Sequence, residues 1–536
     1  MKCIECGTTN LNKRGFSETS LGVKQRYKCL DCGKSFSVLP ATEAEEETEI
    51  SYDEDATSSG KYIRTDSWIK SNVYNKKIIV VTAAQNNTDI DEDFYNCLIN
   101  YVERKDANLL VIPIKYKTVN AEDDLSIDMY DSRLESYLIE NTLNWEKHNL
   151  KIYAGIKIQA TAENPLSGLD PLSKGSSIII GHAQVQLKTL PTLNDSLSSI
   201  ITSTGAVTQK NYSNTKMGEK ARFNHSLSAV VLEFDENTFH LRHLNYDPIE
   251  KSFCDLDKEY TSLGNVNTVS VEAVVTGDEH ALFRDELVEQ FTYLNRDSLV
   301  NVTKPAYIVR HDVLDSYSAS HHHRKNIFTT YAKFKSGFNS ISDELDITIK
   351  YLNDTTPEWS KSLIVQSNHN EHLLRWLNEV DIRTEPWNAL IYHYLMYSML
   401  QVAEMGDSGA EYPDPFQLFA KNRLSDNIEF ISRRGHQILG IEIGTHGDYG
   451  VNGARGSAKS FARMPSKTIT GHSHSPVIEK GAYVVGTSSK LRLEYNKGAS
   501  TWRHAHCIIH KNGKRQLIFI TPDGWRLLPD SLGSSQ

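Results

Sequence analysis

Short apolar runs closed by Gly, Asn, Asp or Ser alternate along the chain with longer stretches of amphipathic spacing. That alternation predicts strands joined by helices, an α/β architecture. The Ile-Ile-Val-Val run after Lys77 reads as a buried strand, the stretch from Asp91 to Arg104 as a helix, and Leu109-Leu-Val-Ile-Pro-Ile as the next strand. Further strands are predicted from Ile152 to Ile158, Ser177 to Ile180, Ala229 to Phe234 and Phe239 to Leu244, so that residues 71–265 read as βαβ-like units followed by a hairpin region. This segment carries no phosphate-binding glycine loop, neither G-x-G-x-x-G nor G-x-x-x-x-G-K-[ST]. Gln85 and His182, near strand ends, read as satisfied structural polar residues. No internal repeat is legible, and a degenerate copy of the second half stays open as an alternative. The longest apolar stretch, from Ala389 to Ala403, is interrupted by His393, Ser398 and Gln401 and reads as a helix of the fold, not a membrane span.

At 536 residues the chain is too long for one ordinary domain, and its apolar fraction of 39% suffices for real cores. The start, MKCIECGTTN, lacks the apolar segment of a secretion signal. Seven cysteines, an odd number with four in CxxC pairs, argue against a secreted disulfide framework and for a reducing cytoplasm.

Four of those cysteines define a first unit, 1–40. Cys3-x-x-Cys6 and Cys29-x-x-Cys32 are separated by 22 residues. Two such knuckles complete a tetrahedral four-sulfur site suited to one structural Zn2+, and in so short a segment the metal would supply the folding energy. The unit resembles a zinc ribbon. Residues 41–70 open with eight acidic and no basic residues over 41–60 and read as a solvated linker.

From 266 to 536 one local event recurs. A short apolar strand ends and metal-ligand side chains follow at once: Asp278-Glu-His280, Asp312-Val-Leu-Asp315, Asn368-His369, His446 and Gly471-His472-Ser-His474. In an open α/β sheet, ligands gather at the carboxyl ends of strands. In extended chain, residues two apart point the same way. Each Asp-x-His or His-x-His pair can therefore reach one metal cluster.

This order of motifs resembles the calcineurin-like metallophosphoesterases, whose pattern reads D-x-H, G-D-x-x-D, G-N-H-[DE], H and G-H-x-H. The likeness covers residues 270–500, with His311 in place of the glycine before Asp312, and Ser367 and Asn370 at the flanks of the third motif. The resemblance implies a calcineurin-like αββα sandwich over 266–536, with an additional α/β domain at 71–265. It implies that Asp278, His280 and His474 hold one divalent metal and Asn368, His446 and His472 another, with Asp312 bridging. Mn2+ is the expected metal, Fe and Zn2+ the alternatives. His369 would assist the leaving group, and Asp315 would orient a histidine or cap a helix.

Charge narrows the substrate. Residues 451–516 hold twelve Lys/Arg against two Asp/Glu, in a chain whose net charge is -10. Arg455, Lys459, Arg463 and Lys467 lie between the fourth and fifth motifs and are expected to face DNA. The layout also resembles the pre-early host-DNA-degrading nucleases of T-five-like tailed phages. That likeness implies a metal-dependent deoxyribonuclease that forms homo-oligomers and works in the host cytoplasm. The alternatives are a phosphatase, an RNA or cyclic-nucleotide phosphodiesterase, or a DNA-binding scaffold with a vestigial metal site.

Overall fold

The computed structural model describes residues 3, 5–19, 22–38, 62–116, 129–193, 197–324, 326–405, 414–494 and 496–528. The chain divides into two compact units, Met1–Ser58 and Ser59–Gln536. Most of the expected acidic linker, 41–61, lies outside the described residues. Its last part belongs instead to the larger unit: Tyr62 is buried, and Arg64 Nε donates to the carbonyl of Leu138 at 2.9 Å.

The small unit is a three-stranded antiparallel sheet, Leu11–Thr19, Gly22–Cys29 and Ser35–Val38. Two equivalent turns flank it. The Cys3 carbonyl accepts from Gly7 N–H at 2.9 Å and the Cys29 carbonyl from Gly33 N–H at 3.1 Å.

In the larger unit, apart from a small sheet of Ser252–Asp255, Lys258–Thr261 and Val266–Thr268, the strands of 71–265 are β1 (Ile78–Gln85), β2 (Asn108–Ile114), β3 (Thr142–Trp145), β4 (Leu150–Tyr153), β5 (Ser177–Ile180), β6 (Gln186–Thr189), β7 (Ile200–Ser203), β8 (Ser228–Phe234) and β9 (Phe239–Asn245). Those after 265 are β10 (Ala273–Val275), β11 (Tyr307–His311), β12 (Lys361–Val365), β13 (Ile428–Ile431), β14 (Gln437–Ile438), β15 (Ile441–Glu442), β16 (Lys467–Thr470), β17 (Val477–Glu479), β18 (Ala482–Val484), β19 (Ala505–Ile509) and β20 (Arg515–Phe519). The strand expected to reach Ile158 stops at Tyr153, where Ala154 and Gly155 leave the ladder.

The two halves repeat one topology. A four-stranded sheet runs β9-β8-β1-β2, and a six-stranded sheet runs β20-β19-β10-β11-β12-β13. In each, the first three pairings are antiparallel, antiparallel, parallel. A ten-stranded sheet runs β14-β15-β16-β18-β17-β6-β7-β5-β4-β3. From either edge inward it pairs antiparallel, parallel, parallel, antiparallel, and the halves meet where β17 pairs antiparallel with β6. The expected domain boundary at 265 does not divide the chain: residues 71–265 repeat the strand topology of the later half, as the degenerate copy left open by the sequence would, and join it through one continuous sheet.

Register equates individual positions. Asp278 N–H donates to the Gly486 carbonyl at 3.1 Å, and Ala83 N–H to that of Gly205 at 3.2 Å. Val485 N–H donates to Thr470 at 2.9 Å, and Thr204 N–H to Ile180 at 3.2 Å. Hence Asp278 corresponds to Ala83, His280 to Gln85, and Gly471-His472-Ser-His474 to Gly181-His182-Ala-Gln184. Val275 opposite Val309 matches Val80 opposite Leu109, which sets Asp312 against Ile112.

A single apolar core fills the space between the ten-stranded sheet and the other two, with Ile79, Val81 and Ile179 from one half and Val309, Leu363, Ile469 and Leu517 from the other. Helices cover the far faces: α1 (Glu92–Arg104) through Phe94, Leu98 and Tyr101, and α2 (Ile341–Asp354), α3 (Asn368–Glu379) and α4 (Ala389–Met405) through Leu345, Leu352, Leu373, Trp376 and Leu395. Among the described residues no helix is long and apolar enough to cross a membrane.

Candidate metal centre

Each predicted ligand follows the carboxyl end of a strand in the later half. Asp278 and His280 follow β10, Asp312 follows β11, Asn368 opens α3 just after β12, His446 follows β15, and His472 and His474 follow β16. All lie in one crevice. Asp278, His280, Asp312 and His474 each offer a ligand atom, and these atoms lie within 4.8 Å of one another. His446 Nε2 stands 3.7 Å from Asp312 Oδ2, and His472 Nδ1 stands 3.1 Å from Asn368 Oδ1. The site is dry on one side and open on the other: Asp278, His280, Asp312, His446 and His474 are buried, whereas Asn368, His369 and His472 are half-buried.

Lone pairs converge there. In the neutral ring that could bind a metal, His280 Nδ1–H donates to Asp315 Oδ1 at 3.0 Å, which leaves the lone pair on Nε2, 3.4 Å from Asp312 Oδ2 and 3.1 Å from His474 Nε2. His369 Nδ1–H donates to the Asp315 carbonyl at 2.6 Å, turning its own Nε2 lone pair toward Asp312 Oδ2 at 3.7 Å. Oδ1 of Asp278, Oδ1 of Asp312 and both ring nitrogens of His446 are buried without a hydrogen bond, and Asp278 Oδ2 meets His474 Nε2 at 2.9 Å. Orphaned buried acceptors on this scale are costly, and a cation placed among them satisfies several at once. Carboxylate and imidazole donors suit Mn2+, Fe or Zn2+.

The electrostatics agree. Burial pushes the Asp278 carboxyl up, to about 7, and the Asp312 charge adds to the rise. Burial pushes Asp312 the same way, but the imidazoles of His369, His280 and His446 outweigh it and hold that carboxyl well below the usual range. Burial opposes protonation of His280, yet Asp312 and Asp315 overcome it and raise this imidazole to about 9. Two neighbouring carboxyls driven in opposite directions share too little positive charge, which divalent ions would supply.

Backbone conformation marks the same residues. His280, Asp312, His472 and His474 all have φ between 46° and 70°. Non-glycine residues in the left-handed region cost of order 1–3 kcal/mol each and concentrate where function requires the geometry. Gly471 is required by close approach: a Cβ there would stand 2.1 Å from Asp278 Oδ1.

Glu279 and Arg310 escaped sequence reasoning. Glu279 points away from the crevice and is pinned by Tyr293 Oη at 2.5 Å, Thr276 Oγ1 at 2.8 Å and Arg310 Nη1 at 3.1 Å. Arg310 is fully buried in β11. A charge inside the apolar run Tyr-Ile-Val-Arg-His was the available signal. His311 is buried with both ring nitrogens unpartnered, 5.6 Å from the His446 ring, and burial lowers it to about 4. Trp502 packs its ring 4.1 Å from that of His474. Asp315 takes the orienting role: besides His280 it accepts from Leu282 N–H at 2.9 Å. Asp315→Asn should lower metal affinity or metal-dependent activity by roughly 10–100-fold. Equal metal titrations for variant and native protein would remove Asp315 from this role.

The four expected DNA-facing cations are exposed. Arg455, Lys459 and Arg463 lie on the segment after His446. That segment folds back so tightly that a Cβ on Gly456 would stand 2.0 Å from the Gly447 carbonyl oxygen. Lys467 opens β16, at the far end from His472, and lines a cavity of about 520 Å3 with Lys210, Lys514, Arg515 and the chain neighbours of Arg463, Ala462 and Met464.

In the small unit, Cys3, Cys6, Cys29 and Cys32 bring their sulfurs within 4.8 Å of one another. Cys3 Sγ lies 3.6 Å from Cys32 Sγ and Cys6 Sγ 3.6 Å from Cys29 Sγ, too far for disulfides and right for ligands of one metal ion. Backbone hydrogen bonds lower the Cys3 thiol to about 7.

No family model and no solved structure matches the chain. It is similar to Protein A1 of Escherichia phage T5, at 32% identity over 459 residues, covering 82% of this chain and 81% of that protein. With two candidate metal centres and one duplicated sheet architecture, the chain belongs to the family of phage T5 Protein A1.

Proposed function

We propose that the later half is a calcineurin-like two-metal phosphodiesterase and that DNA is its substrate. The observation that carries the proposal is the set of buried, unpartnered carboxylate oxygens and ring nitrogens facing one another at four strand ends, with Asn368 and His369 at a fifth. Asp278, His280 and His474 would hold one metal, Asn368, His446 and His472 the other, and Asp312 would bridge them. Such a pair supplies charge neutralisation at phosphorus and an activated water.

The chain's own residues do the rest. Asp315 fixes His280 and, through its carbonyl, His369. His369 stands on the half-open side beside Asp312 and is placed to stabilise or protonate a leaving oxygen. Arg455, Lys459 and Arg463 are exposed and, among the described residues, form no ion pair. They offer phosphate contacts along the approach.

Full-length protein incubated with linear and circular DNA and Mn2+ should degrade it, and a chelator should stop the reaction. Cleavage of small chromogenic phosphodiesters without cleavage of DNA would defeat the substrate assignment. Cleavage that persists in chelator would defeat the mechanism. Replacing Arg455, Lys459 and Arg463 together by Ala should weaken DNA binding uniformly across sequences and reduce the slope of log K against log salt by up to about 3. An unchanged slope would place the DNA elsewhere.

A further inference from the structure

A second group of imidazoles stands outside the ligand set just described. The segment that carries Asp312 and Asp315 runs on into a turn bearing His321 and His322, and α3, which Asn368 opens, carries His372 one turn further along. The two segments meet again there. His321, His322 and His372 each offer a ring nitrogen, and these atoms lie within 4.8 Å of one another. Ring centroids are 3.8 Å apart for His321 and His322, 5.1 Å for His321 and His372, and 5.7 Å for His322 and His372.

The geometry is held from below. Tyr317 and Ser318 N–H groups both donate to the buried carboxylate of Glu344, at 2.8 Å each, and Lys333 Nζ donates to the Tyr317 carbonyl. Nδ1 of His321 and Nδ1 of His372 are buried without a hydrogen bond. Stacked imidazoles packed only for their apolar faces would leave these nitrogens to water or to a backbone partner. Here they are withheld from both, which is costly unless something answers them. Three imidazoles with one open position is a donor set that suits Zn2+.

We propose that His321, His322 and His372 form a mononuclear transition-metal site of the zinc class, separate from the paired centre. His322 is exposed, so the fourth position faces solvent. His369 stands between the two sites, its ring 5.2 Å from His372 and 5.0 Å from His280.

Metal stoichiometry tests this without any activity measurement. Full-length protein is stripped with chelator and dialysed to equilibrium against ZnCl2, and bound zinc is counted by mass spectrometry. His321→Gln/His372→Gln should bind one equivalent fewer than native protein, with an unchanged circular-dichroism spectrum. His322→Gln, a change at an exposed residue that the fold tolerates, should weaken that same equivalent at least 10-fold. Asp278→Ala should leave it in place, so loss of the paired-centre reading and loss of this one are read separately. The same zinc count and affinity in His322→Gln as in native protein would overturn the assignment, whether or not the double variant folds.

Discussion

Asp312→Asn is expected to reduce metal-dependent DNA cleavage by at least roughly 10^3-fold while DNA binding changes little. The substitution keeps size and removes charge. Asp312 Oδ2 is the atom on which His280, His369 and His446 converge, at 3.4, 3.7 and 3.7 Å, so it is the one group shared by both proposed ligand sets. Loss of its charge leaves the imidazoles facing one another with no common anion. Binding should survive because the exposed cations after His446 lie outside the crevice. Gel-based nuclease assays in Mn2+ and fluorescence anisotropy in a chelator separate the two effects. Native-like cleavage by the variant would mean that the crevice does not carry the chemistry. Loss of binding as large as the loss of cleavage would mean that Asp312 holds the fold together instead.

Removal of metal from the four-cysteine site should unfold residues 5–38 and leave the larger unit intact. The small unit has three short strands and, among its described residues, a core cluster of only Cys3 and Cys29 with Leu11 and Tyr27 against it. Apolar burial on that scale cannot offset the ordering of its backbone. In small zinc modules the metal contributes apparent binding free energies of about 10–16 kcal/mol. Hydrogen exchange read by mass spectrometry should therefore show the strand amides of 11–19 and 22–29 protected with zinc and unprotected after chelation. Cys29→Ser should do the same without chelator, because Cys29 is the fully buried member of the four. Protection that persists in Cys29→Ser would show that the sheet holds itself.

The halves share a topology but not the Asp and His side chains of the crevice. Where the later half has Asp278, His280, Asp312 and His474, the earlier has Ala83, Gln85, Ile112 and Gln184. His182 alone keeps its identity, with Nε2 against the Gln159 carbonyl at 3.1 Å and Nδ1 accepting from Gln184 N–H at 3.0 Å. Its expected role as a satisfied structural residue matches these bonds. Gly181 shows the substitution physically: a Cβ there would stand 2.4 Å from Ile112 Cγ2, whereas one on Gly471 would strike the Asp278 carboxylate. Apolar side chains occupy the space that charged ligands hold in the other half.

What could be read from residues alone was whatever depends on short spacing. Two ligands separated by one residue lie on the same side of an extended chain, and paired CxxC motifs aim four sulfurs at one point. Hence the pairs Asp278/His280 and His472/His474, the four cysteines and most strands were legible from spacing, whereas Asp312, Asn368 and His446 were expected only through the resemblance in the order of motifs. The repeated topology could be left open but not read, because a core demands only apolar residues of about the right volume, and two halves can share a strand order while nearly every matching side chain differs. His321, His322 and His372 meet only because the turn after β11 folds against the first turn of α3. Local periodicity is written in neighbouring residues, whereas strand partners and loop contacts are chosen by burial across hundreds of positions, and only the folded chain decides them.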